Sequence, residues 1–350
     1  MTEGQSTPQQ GPPTQAPLKS QKTTDIIDTF RPSKGFHPCK KDPSKYVTSL
    51  DFDDQGDVLI GAGNDDSMHV YDVKEGKFNK SVASKKYGVH LARFTHHSRQ
   101  VLHASTKIDN NLRLLDLHNE GYIRYFTGNN DQDDTVTLWD LNSRNAQGKL
   151  NLATPYLAAF DPSGTVIAIA SQSTAAVLLY DFRNFDKSPF STFDLAPYEE
   201  RFTPSTRGRA WTRLEFSNDG KYLMVGTDYH GHFVLDAFDG TLKAFLAGKS
   251  GASGRAAPVS TTGKPLGQGD ACFSPDGRYV IGGNGEQHGM LVWDLGQIGG
   301  GDLTLQPSTR LSAPSCAAMV EYNPRYNMIA SADKEIIFYA PDDHGKSSEK

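Results

Sequence analysis

Three cysteines in 350 residues, Cys39, Cys272 and Cys316, are odd in number and show no Cys-x-x-Cys spacing. That argues against a disulfide framework and a structural zinc site, and the three read as reduced thiols. No apolar run approaches the roughly 18 residues of a membrane span, and the first residues are polar, so neither a span nor a signal peptide is expected. The protein therefore reads as intracellular, and the sequon Asn79-Lys80-Ser81 carries no meaning there. Charge of one sign is lacking too. A net charge of −5 over 38.3 kDa sets up no strong field, which argues against direct sequence-specific binding of nucleic acid.

Patterns of catalysis are equally scarce. Gly248-Lys249-Ser250 resembles the end of a phosphate-binding loop, yet Lys243 stands where that loop needs glycine. Gly61 and Gly63 lack the third glycine of a dinucleotide fingerprint. His96 and His97 are adjacent, so on a strand they point to opposite faces and cannot share an ion. No serine sits in a Gly-x-Ser-x-Gly elbow, and the paired carboxylates Asp65-Asp66 and Asp133-Asp134 fall where turns are expected. No catalytic residue, metal site or cofactor is assigned, and the chain reads as a non-enzyme.

What is present is a repeat. The stretch Thr135-Val136-Thr137-Leu138-Trp139-Asp140, an apolar run closed by an aromatic and a carboxylate, recurs in altered form at 68–72, 112–116, 177–181, 233–236, 291–294 and 336–340. Asp72, Asp116, Trp139, Asp140, Asp181, Asp236, Trp293 and Asp294 mark it, and the last copy ends on Ala340. A period near 40 residues with a Trp-Asp ending is the mark of propeller blades, each a four-stranded sheet covered only by its neighbours. Seven copies predict an all-β, seven-bladed propeller.

The copies end 44, 24, 41, 55, 58 and 46 residues apart. Four strands need about 40 residues, so the 24 between Asp116 and Asp140 hold half a blade. A second count agrees. Turns of the form Phe-x-x-x-Gly, such as Phe160-Asp161-Pro162-Ser163-Gly164 and Phe273-Ser274-Pro275-Asp276-Gly277, or looser versions at 94–98 and 322–325, join the first strand of a blade to the second, six in all against seven copies, and the third blade has none. Blade 3 is expected to lack its first two strands.

Residues 1–23, rich in Pro, Gln and Thr, read as a disordered tail, and 342–350 as another, with the propeller at 24–341. The alternating stretch 24–30 is expected to add an N-terminal strand to the last blade and close the ring. The long segments 196–210 and 247–269 read as rim loops, the first with a phosphorylation motif at Thr203-Pro204. Trp139 and Trp293 read as wedges between blades rather than as a site. Two loops, Ser84-Lys85-Lys86-Tyr87-Gly88-Val89 and Thr106-Lys107-Ile108-Asp109-Asn110-Asn111, fall on one ring face. Exposed Lys and Tyr together suit an acidic or phosphorylated peptide. Lys85, Lys86, Tyr87, Lys107, Asp109 and Asn110 are the candidate partner-binding residues.

These two loops, with Leu117-His118-Asn119, the stretch Tyr122-Ile123-Arg124-Tyr125-Phe126 and the segment 183–193, resemble the small WD-repeat propeller subunit of the COMPASS histone H3 lysine methyltransferase complex. In some lineages that subunit is shared with the cleavage and polyadenylation factor or with a protein phosphatase 1 complex. The resemblance implies a nuclear, non-catalytic scaffold that docks a segment of the methyltransferase catalytic subunit. Through its complex it would couple indirectly to the phosphorylated tail of RNA polymerase II, in transcription-coupled chromatin modification and termination. An alternative is a substrate receptor of a cullin-type ubiquitin ligase, suggested by Tyr180-Asp181-Phe182-Arg183, which is similar to the Trp-Asp-x-Arg signature of such receptors.

Overall fold

The computed structural model describes residues 22–38, 42, 44–109, 111–127, 135–143, 145–152, 156–203, 211–251 and 270–342. A short helix, α1 (Thr23–Ile26), leads into β1 (Phe30–Phe36). The first blade holds β2 (Val47–Phe52), β3 (Val58–Gly63), β4 (Ser67–Asp72) and β5 (Lys77–Ala83). The second holds β6 (His90–Phe94), β7 (Gln100–Ala104), β8 (Leu112–Asp116) and β9 (Gly121–Phe126). A two-stranded sheet follows, β10 (Thr135–Trp139) and β11 (Ala146–Asn151). The third blade is β12 (Tyr156–Phe160), β13 (Val166–Ser171), β14 (Ala176–Asp181) and β15 (Ser191–Asp194), and α2 (Ala196–Phe202) comes after it. The fourth is β16 (Trp211–Phe216), β17 (Tyr222–Thr227), β18 (His232–Asp236) and β19 (Leu242–Leu246). The fifth contains β20 (Ala271–Phe273), β21 (Tyr279–Gly283) and β22 (Met290–Asp294). The chain then leaves it to lay β23 (Thr304–Leu305) parallel to β19, and returns as β24 (Thr309–Leu311). The sixth is β25 (Met319–Tyr322), β26 (Ile329–Ala332) and β27 (Ile336–Pro341), with β1 paired antiparallel to β27.

All seven copies of the repeat are strands. Six occupy the third position of a blade, and the seventh is β10 of the short sheet. Among the described residues there are six blades of four or five strands and one two-stranded sheet, where seven blades were expected, and the short sheet falls at the 24-residue interval.

The repeated Asp has a local job. Asp72, Asp116, Asp140, Asp181, Asp236 and Asp294 each accept a backbone N–H two or three residues on, at 2.7–2.9 Å, which starts the turn out of the third strand. Asp181 is spent in this way on the N–H of Arg183, so local structure accounts for the Tyr180-Asp181-Phe182-Arg183 resemblance. In four of the six blades the turn after the first strand closes on a glycine in the left-handed region, Gly56 (φ +70°), Gly164 (φ +69°), Gly220 (φ +71°) or Gly277 (φ +69°), where a side chain would be strained.

The core lies between blades rather than within them. Separate apolar clusters join the first blade to the second, the third to the fourth, the fourth to the fifth, the fifth to the sixth and the sixth to the first. The short sheet packs Val136 against Ile167, Ile169 and Tyr180 of the third blade. Toward the second blade it makes an edge-on contact of Trp139 with Phe126 at 5.4 Å, and Leu141 and Ser143 offer their carbonyls to Arg124.

Three expectations are corrected. The strand joining the chain ends is Phe30–Phe36, not 24–30, because the adjacent Ile26 and Ile27 are both buried, which suits a helical turn and not a strand. Residues 196–202 form α2 rather than a loop. Thr203 is buried and donates its hydroxyl to the Glu199 carbonyl at 2.7 Å, so it is not presented for phosphorylation. Residues 1–21 and 343–350, Cys39, and the segments 204–210 and 252–269 lie outside the described residues. Cys272 and Cys316 are free thiols, the first buried. Among the described residues no helix is long and apolar enough to cross a membrane.

The first strands also carry a chain of ions from blade to blade. Arg93 meets Asp51 at 2.9 Å and Glu321 at 3.4 Å, and Arg213 meets Glu321 at 2.8 Å and Glu215 at 2.5 Å. These charges sit on β2, β6, β16 and β25, so the pairing links four blades. Burial pushes the Asp51 carboxyl up to about 6, against the pull of Arg93.

Candidate functional site

The first two blades meet at two loops on one ring face, the link from β5 to β6 and the turn from β7 to β8. The link folds as a tight turn, with Tyr87 and Gly88 donating to the Ser84 carbonyl at 3.1 and 2.7 Å. Gly88 has φ +74°, and a Cβ there would run into the Thr106 hydroxyl. The close approach lets Thr106 and Lys107 donate their N–H groups to the Tyr87 carbonyl at 2.9 and 3.0 Å. The two loops are therefore one unit.

Of the predicted residues, Lys85 and Lys86 are exposed and Tyr87 is half-buried. Lys107 is a cross-link, its ammonium 2.5 Å from Asp66 and 3.2 Å from the Lys85 carbonyl. Asp109 forms a two-point ion pair with Arg113, 2.8 Å at each contact. Asn110 lies outside the described residues. Lys107 and Asp109 thus shape the surface, while Lys85, Lys86 and Tyr87 present it.

The centre of the arrangement is Arg113, only 2% exposed. Its guanidinium lies 3.8 Å from the Tyr87 ring centroid and 5.4 Å from that of Tyr125, and it also donates to the Ser105 hydroxyl. Tyr87 stands edge-on to Tyr122 at 5.4 Å, Tyr122 meets Tyr125 at 5.5 Å, and the Tyr122 hydroxyl is 2.9 Å from that of Ser84. The Lys86 ammonium lies 4.9 Å from the Tyr87 ring. Its hydrogen bond to Tyr87 holds that phenol below the usual tyrosine range, whereas partial burial and the neighbouring Tyr87 push Tyr125 up. The result is a fixed aromatic platform, with Tyr125 46% and Ile108 63% exposed, edged by lysine ammonium groups. It can stack an apolar or planar group and pair an anion beside it.

Sequence reasoning missed Arg113 and Asp66 as members of this site and gave Tyr125 no role in it. Asp109 and Arg113, four apart across a turn, were the one signal, legible only once 112–116 is known to return along the same hairpin.

A family model for the WD domain, G-beta repeat, matches residues 37–72. The chain is 31% identical to the Set1 complex component swd2 of Schizosaccharomyces pombe, over 91% of this chain and 98% of that protein. It is 32% identical to WD repeat-containing protein 82 of Drosophila melanogaster, over 93% and 98% of the two chains. It is likewise 32% identical to the COMPASS component SWD2 of Saccharomyces cerevisiae, over 90% and 96%. With identity at this level running nearly end to end, the chain belongs to the WD-repeat family that contains these Set1 and COMPASS components.

Proposed function

We propose that this chain is a non-catalytic scaffold subunit of a COMPASS-type histone H3 lysine-4 methyltransferase complex in the nucleus. In this reading the platform of Lys85, Lys86, Tyr87 and Tyr125 receives an acidic or phosphorylated segment of the methyltransferase subunit. The carrying observation is the nearly end-to-end similarity to two relatives that bear Set1 or COMPASS in their names. The rigid backing of the platform by Arg113 supports the position of the docking face, because ordering a preformed surface costs little on binding. The same reading extends to the cleavage and polyadenylation or phosphatase assemblies that share the subunit in some lineages. It takes the two-stranded sheet as the outer half of a seventh blade, without the two inner strands that the six blades carry.

Affinity purification of the tagged chain from nuclear extract tests it. A histone H3 lysine-4 methyltransferase subunit should copurify, and Lys85→Glu with Lys86→Glu should cut its recovery about tenfold or more, as reversal of two ammonium contacts implies. Recovery of a cullin adaptor in its place, or undiminished methyltransferase with the double variant, contradicts the reading.

A further inference from the structure

At the opposite end of the ring from Lys85 and Tyr87, the first strands of four consecutive blades end on aromatic residues in the same register: Phe160, Phe216, Phe273 and Tyr322. They line a pocket of about 330 Å³ between the turns that follow these strands, with prolines such as Pro275 on its rim. Phe160 is 52% exposed. The one charged residue among the described lining residues is Glu215. Its carboxylate accepts from the Arg213 Nε at 2.5 Å and from the Phe273 N–H at 3.2 Å, which leaves lone-pair capacity on both oxygens. The ion chain to which Glu215 belongs joins three carboxylates, Asp51, Glu215 and Glu321, to two guanidinium groups, Arg93 and Arg213, an excess of one negative charge.

We infer that this pocket receives a cationic side chain, lysine or arginine, from an extended segment of a partner protein. Aromatic walls attract a cation through their ring faces and cover the aliphatic stem, while a carboxylate on one wall supplies the counter-charge. An acidic segment meets no donor of full charge in the lining and adds to the negative excess, and a neutral one leaves that excess unbalanced. A bare apolar side chain would fill the walls but leave Glu215 without new partners. The inference concerns a different face from the platform and stands without the proposed function.

Saturation-transfer NMR on the full chain tests it with four capped tripeptides, Gly-Arg-Gly, Gly-Lys-Gly, Gly-norleucine-Gly and Gly-Glu-Gly. Single-residue contact of this kind gives millimolar affinity, so titration to about 10 mM covers the range. The two cationic peptides should bind saturably, the norleucine and glutamate peptides at least about fivefold more weakly, and added salt should weaken the cationic pair. Glu215→Gln should lower cation affinity by about tenfold. Because Glu215 also holds Arg213, Phe160→Ser at an exposed position serves as a second variant that leaves the ion chain intact, and it should weaken binding severalfold. Absence of saturable binding by both cationic peptides, equal binding of norleucine, or full binding by Phe160→Ser overturns the inference.

Discussion

Arg113 carries a full charge into the fold at 2% exposure, and Asp109, Ser105 and the face of Tyr87 surround it. A buried charge without partners would cost several kcal/mol, so these contacts tie the loop that carries Lys107 and Asp109 to β8. Burial acts on other titratable side chains as well. Burial holds His90 and His103 down at about 4, against an ordinary value of 6.5, and depresses His232 as well. Between those limits the unfolded chain binds protons at these positions that the folded chain does not. Asp51 works oppositely, because its raised carboxyl takes up a proton in the folded state as pH falls through about 6. Burial raises the Glu215 and Asp270 carboxyls in the same sense, so three histidines are set against three carboxyls and the prediction belongs to a single group. Between pH about 6 and about 4.5 His90 alone costs about 1.4 kcal/mol of stability per pH unit lost, so His90→Gln should become more stable relative to the parent chain by that slope as pH falls. Urea unfolding of the two chains across that window checks this; a difference between them that does not change with pH speaks against it.

Among elements, the short sheet differs most from the rest. Trp293 is fully buried in the fifth blade and donates its indole N–H to the Ala247 carbonyl at 2.9 Å, whereas Trp139 is half-buried and its indole nitrogen has no partner among the described residues. The equivalent position therefore carries unequal energy. Trp293→Ala should cost about 3–5 kcal/mol and Trp139→Ala less than about 2 kcal/mol, measured by chemical denaturation. Equal losses would mean that the short sheet is wedged as tightly as a whole blade. The strands themselves were legible because most repeats are bounded by chemistry that acts locally, the Asp that caps a turn and the Gly at positive φ. β1 was misplaced because it is an outer strand with one buried residue in seven, so its sequence holds no alternation to read. The ion chain was invisible for another reason. Asp51, Arg93, Arg213 and Glu321 are far apart in sequence, and only the closing of the ring brings them within bonding distance.

At the scale of the molecule, stability comes from seams between sheets, and the two ends of the ring carry different chemistry. One end shows Lys85, Lys86 and Tyr87 over a buried guanidinium; the other shows Phe160 and its aromatic neighbours around Glu215. Two unlike faces can hold two segments at once without interference, which suits the scaffold role proposed for the chain. Hydrogen–deuterium exchange on the chain, free and mixed with the methyltransferase subunit proposed as its partner, tests the docking claim most directly. The account predicts that protection on assembly concentrates at 84–88, 106–109 and 121–126, while the seams between blades exchange as slowly before assembly as after it. Protection spread evenly over the ring, or absent from those three stretches, would contradict it.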